Sequence, residues 1–136
     1  MITPKLCFAA VGIIRDADTN TISAFTILEG VIPSAIPFYM PQVSFVVFWD
    51  RNLDDANRTQ GVFTLTINND QVSRVEMLVD FHDGLRHRTI ANLNGLVIPR
   101  TGAMRFRIDL DVGVHAEYLL EVEPPRVAAA PQVQAV

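Results

Sequence analysis

Apolar and polar residues alternate with a period of two along much of this chain. From Ala103 to Val112, Met104, Phe106, Ile108 and Leu110 fall on one side and Ala103, Arg105, Arg107, Asp109 and Asp111 on the other. Successive side chains of a strand point to opposite faces, so the pattern predicts a half-buried strand. His115 to Glu123 repeats it, with Ala116, Tyr118, Leu120 and Val122 inward and His115, Glu117, Leu119, Glu121 and Glu123 outward. The link Asp111-Val112-Gly113 reads as a three-residue hairpin loop with Gly113 left-handed, which pairs Leu110 with Val114. Arg107 then lies opposite Glu117 and Asp109 opposite His115, both favourable cross-strand pairs. A slip by one pair would set Asp109 against Glu117.

The same alternation extends upstream. Phe63, Leu65 and Ile67 point inward before Asn68-Asn69-Asp70, a strong turn signal. Val75, Met77, Val79 and Phe81 line the next strand, with Arg74, Glu76, Asp80 and His82 outward. Val43 to Trp49 is almost continuously apolar, which predicts a central strand covered on both faces. Leu6 to Ile14 reads as a buried first strand, and Thr21 to Val31 and Thr89 to Ile98 as two more, the last interrupted by Asn94-Gly95. Pro99 to Gly102 turns the chain into the strand that begins at Ala103.

Two stretches do not read as strands. Ile32 to Pro41 carries Pro33, Pro37 and Pro41 with Ile36, Phe38, Tyr39 and Met40 between them, and proline at that density does not fit a sheet interior. From Pro124-Pro125 onward the Pro/Ala/Val/Gln composition reads as a flexible C-terminal tail. The expected architecture is an all-β fold, a two-sheet antiparallel β-sandwich of about eight strands over residues 1–123, with a proline-punctuated loop and a tail over 124–136.

Composition supports that fold. Apolar residues form 49% and charged residues 19% of the 136 positions, too apolar for a disordered chain. Val, Ile and aromatic residues make up more than half of the apolar set, and together with Thr these suit pleated strands. The formal charge of −4 argues against a phosphate-backbone binder. The single cysteine, Cys7, excludes an internal disulfide and a cysteine-based zinc site. Lys5 precedes the apolar run Leu6 to Ile14, but that run meets Arg15-Asp16-Ala17-Asp18 with no small-residue cleavage site and is too short to span a bilayer. A cytoplasmic setting is expected, or a virion-associated one if the chain serves an assembly.

Candidate chemistry is sparse. Asp80 and His82 share one strand face and His115 and Glu117 another, and two imidazoles with two carboxylates are a ligand set for a divalent metal. The plainer reading is two solvent-facing strand surfaces, so no metal and no cofactor is expected. Asp50, Asp54 and Asp55, with Asp109 and Asp111, lack the ligand pattern of a calcium loop. Cys7 lies in an apolar strand as packing, and Ser23, Ser34, Ser44 and Ser73 occur in no nucleophile motif. No glycine-rich phosphate loop is present. Arg86-His87-Arg88 with Arg100, Arg105 and Arg107 reads as ordinary strand surface, partly neutralised by Glu117, Glu121 and Glu123.

The strongest functional signal is the proline-spaced loop. Ile36, Phe38, Tyr39 and Met40 either form an exposed apolar patch, the mark of a protein contact, or fold back to plug the sandwich end.

Taken together, the first strand with Cys7, the strand ending near Gly30, the Pro33/Pro37/Pro41 loop, Gly102-x-Met104-x-Phe106-x-Ile108-x-Leu110-Asp111 and Glu117-x-Leu119-x-Glu121-Val122 resemble a family of small bacterial all-β domains of unknown function. The resemblance spans residues 5–123, with Met104 where that family usually has an aromatic residue. It implies the sandwich fold and no catalytic residues. The expected function is a non-enzymatic β-sandwich that binds a protein partner or self-associates, through this loop and the tail, with no nucleic acid and no membrane. A structural or accessory subunit of a phage-like or capsid-like particle, forming homo-oligomers, is the alternative, and a metal-binding module or enzyme the third.

Overall fold

The computed structural model describes residues 1–126, where every helix or strand element is a strand. In chain order these are β1 (Thr3–Arg15), β2 (Ile22–Ile27), β3 (Phe38–Asp50), β4 (Arg58–Ile67), β5 (Asp70–Asp80), β6 (Arg86–Ile98), β7 (Gly102–Leu110) and β8 (His115–Val122). They build two antiparallel four-stranded sheets, ordered β2-β1-β3-β6 and β5-β4-β7-β8. The all-β sandwich expected from the alternation is the fold found. No helix among the described residues is long and apolar enough to cross a membrane. The expected tail lies, from residue 127 on, outside the described residues.

Alternation places the core. Phe45, Val47 and Trp49 on β3 face Phe63, Leu65 and Ile67 on β4 and Met104, Phe106 and Ile108 on β7, all fully buried. The Phe45 ring stacks on Phe106 at 5.6 Å and tilts against Phe63 at 5.9 Å. Such pairs contribute about 1 kcal/mol each beyond the area they bury. Trp49 spends its one polar group well, its Nε1–H donating to Thr89 Oγ1 at 3.1 Å.

The second sheet follows the charge pattern. Arg107 pairs with Glu117 and Asp109 with His115 across β7 and β8. Leu110 N donates to Val114 O at 2.8 Å, and Gly113 holds φ 85°, so the three-residue loop forms as the sequence predicts. Asn68 and Asn69, at φ 49° and 69°, make the two-residue turn between β4 and β5.

Three expectations need correction. The strand expected over Thr21 to Val31 ends at Ile27; Leu28 accepts a hydrogen bond from Tyr118 Oη at 2.6 Å, and Val31 joins β8 through Val31 N to Glu121 O and Glu123 N to Val31 O. The chain thereby crosses from one sheet to the other. Phe38 to Pro41, read as loop, opens β3. Proline fits there because β1 leaves β3 at the Ala10–Ser44 pair, so among the described residues this half of β3 has β6 on one side and no strand on the other. Finally, the first strand is not buried along its length: Leu6 and Ile14 are more than half exposed.

Candidate interaction surface

The proline-spaced segment does not present its four apolar residues as one exposed patch. Met40 is buried in the core and Ile36 and Phe38 pack against it, because β3 begins at Phe38 and alternation turns Phe38 and Met40 inward. Only Tyr39 faces solvent, 58% exposed. The segment closes the sandwich, with the Ile36–Pro37 peptide in the cis form.

The histidines and carboxylates are likewise kept apart. Asp80 ends β5 and His115 and Glu117 sit on β8, at opposite edges of the same sheet. Asp80 is occupied locally: it pairs with Arg58 at 3.3 Å and accepts the His82 amide at 2.8 Å. Among the described residues no group of three or more His, Cys, Asp or Glu is placed to hold a metal. In the Asp50–Asp55 loop, Asp55 caps the Asn52 amide at 2.7 Å. Nearly buried Arg51 ties that loop to the next, donating to Gly84 O at 2.6 Å and Asp55 O at 3.2 Å while lying 5.5 Å from the Phe81 ring. Arg105 and Arg107 pair with Glu117, and Arg100 with Asp70, so no basic face forms there. Cys7 Sγ–H donates to Glu117 O at 3.3 Å, and burial, then the Glu117 charge, push its thiol up, away from nucleophilic reactivity.

A groove of about 660 Å³ opens at one end of the sandwich, between Lys5, Leu6, Asn20, Phe48, Arg86 and Arg88. His87 lines its floor, half-buried with its ring 5.7 Å from that of Phe81, and burial holds its imidazole below the usual value.

The groove draws attention to Asn20, which belongs to the turn between β1 and β2. Arg88, on the far edge strand β6, donates to Asn20 O at 2.9 Å and to Asn20 Oδ1 at 3.2 Å. Arg88 points away from the core, since its neighbour Thr89 is buried inside and bonded by Trp49. The β1–β2 hairpin therefore reaches across the outer face of its own sheet. That explains why Ala10, Ser44 and Val46, all outward-facing, are fully buried. Val43 to Trp49 is covered on both faces as its composition predicts, and the second cover is this hairpin.

The hairpin is apolar on both of its own faces. Ile13, Ile22 and Ala24 share one face and are partly buried. Ile14 and Phe25 share the other, 58% and 51% exposed, and Ile27 beyond them is 51% exposed. No residue from Val11 to Ile27 belongs to the hydrophobic core cluster. The outer face of the second sheet is different in kind, carrying Arg105, Arg107, Asp109 and Glu117 in ion pairs.

Sequence reading missed the hairpin because it took Leu6 to Ile14 as one core strand. The signal was present: in Ile13-Ile14 and in Ile22, Ala24, Phe25 and Ile27, apolar residues occupy both parities, which a strand with only one face against the core does not need. Comparison with protein-family models, with curated proteins and with solved structures finds no match to this chain.

Proposed function

We propose that this protein is a non-enzymatic binding module that docks a protein partner on the uncovered face of its β1–β2 hairpin. One observation carries the reading. The hairpin contributes nothing to the core, yet it holds Ile14, Phe25 and Ile27 in solvent, each more than half exposed. Large apolar side chains grouped on an appended element mark a contact surface more often than a folding requirement. The test is the double substitution Ile14→Ser and Phe25→Ser. Both positions are exposed, so unfolding free energy should change by no more than about 0.5 kcal/mol per site. Affinity capture or association in solution should be lost. Equal association by wild type and the double variant sinks the proposal.

A further inference from the structure

Resting on the reading of the hairpin as a contact element, we infer that it also joins a second copy of this chain, edge to edge along β2. β2 ends its sheet and, among the described residues, pairs with β1 alone, so its outer edge presents backbone groups with no strand partner. Asp16 N donates to Thr21 O at 2.8 Å, which turns the Ser23 and Phe25 backbones toward β1 and leaves the N–H and C=O of Ile22 and Ala24 pointing outward. A row of such groups is a template for another extended strand. The other end strands of the two sheets are guarded. β5 carries Asp70, Arg74, Glu76 and Asp80; β6 carries Arg86 and Arg88; Val31 lies against β8. Ile22 to Ile27 has neither charge nor proline.

Side-chain size favours a second copy, and charge does not oppose it at this edge. The chain is acidic overall, at −4, which keeps copies apart elsewhere, but Ile22 to Ile27 carries no charge of its own. An antiparallel pair centred on Ser23 brings Ile22 of one copy opposite Ala24 of the other, twice, a large side chain against a small one each time. The outward groups of those residues then make four backbone hydrogen bonds. Ser23 meets its own symmetry mate in a non-hydrogen-bonded pair, with Cα atoms about 4.5 Å apart. The dimer is isologous and joins two four-stranded sheets into one.

The experiment is mass in solution by light scattering across a dilution series, on the full chain. Wild type should be a dimer that dissociates on dilution. Ser23→Lys, which sets two ammonium groups face to face, and Ala24→Pro, which removes an outward donor without cutting the β1 ladder, should each weaken it at least 100-fold with an unchanged circular dichroism spectrum. In a Cys7→Ala background, Ser23→Cys should form an intermolecular disulfide on mild oxidation, whereas Phe25→Cys should not, since Phe25 meets Thr21. A wild type that stays monomeric at every concentration overturns the inference, and if Ile14 and Phe25 are still needed to capture another protein the binding-module reading survives it. A dimer indifferent to both β2 substitutions places association elsewhere and overturns the edge-to-edge inference alone; its loss in the Ile14→Ser/Phe25→Ser variant would then locate it on the exposed face.

Discussion

A β-branched side chain in the left-handed region crowds its own backbone, and Thr26 holds φ 53° one residue before the end of β2. Regular pairing lapses there, between the Ala10–Ile27 and Gly12–Phe25 pairs, where the hairpin departs from the plane of the sheet. Strain of this sort costs about 1–3 kcal/mol. Replacing Thr26 by Gly should therefore raise the unfolding free energy measured by urea titration, by about 1 kcal/mol after the glycine's own entropy cost is counted. Gly102 makes the opposite case. It sits at φ 131° beneath Asn68, whose side chain accepts the Ala103 amide at 3.0 Å and donates to Thr101 O at 3.2 Å. A Cβ at Gly102 would strike that amide group, so Gly102→Ala should destabilise by about 2–3 kcal/mol in the same assay. The Asn68-Asn69 turn and the Gly113 loop were legible because Asn and Gly tolerate positive φ, whereas threonine gives no such sign. His87 adds a pH term. Its imidazole is held below the ordinary 6.5 by burial, so as pH falls through 6.5 the unfolded chain takes up a proton that the folded chain refuses. Stability should decline from near pH 6.5 downward, a slope that His87→Gln removes from urea titrations run across that range.

Elements with one polar and one apolar face were legible in register as well as in type. The β7–β8 pairing follows from a loop that needs Gly113 and from Arg107, Asp109, His115 and Glu117, which tolerate only one alignment. The start of β3 was not legible, since Pro41 argues for loop until β1 is known to leave β3 at Ala10 and free that edge. The consequence reaches the site once assigned to that segment. Phe38 packs on the core while its neighbour Tyr39 stands in solvent, although both are large aromatics one residue apart. Phe38→Ser should cost about 3 kcal/mol of unfolding free energy, through lost burial and a cavity. Tyr39→Ser should leave stability within about 0.5 kcal/mol. Equal, small effects would restore the segment as an exposed loop.

At the scale of the whole molecule the two sheets are unequal partners. Both give an inner face to one core, but the outer face of β5-β4-β7-β8 is charged and self-paired, while that of β2-β1-β3-β6 is apolar and roofed by its own hairpin. Sequence alternation sees each strand alone, so it identified the core faces and missed an arm that folds back onto the outside. The arm's separateness can be tested by removing it. Ala10 and Ile27 lie directly opposite each other, so residues 11–26 can be replaced by Asn-Gly, the dipeptide a two-residue hairpin turn favours. All core residues remain, including Ala9 and Leu28 at its flanks. Val46 loses its outer cover, and exposing a valine side chain costs about 2 kcal/mol. The shortened chain should keep its strand circular dichroism, unfold cooperatively with that much less stability, and bind a hydrophobic dye more strongly where Val46 is uncovered. It should also lose every association that depends on Ile14 and Phe25. A chain that fails to fold without the hairpin would make the arm a structural member of the sandwich, and its exposed apolar face would no longer point to a partner.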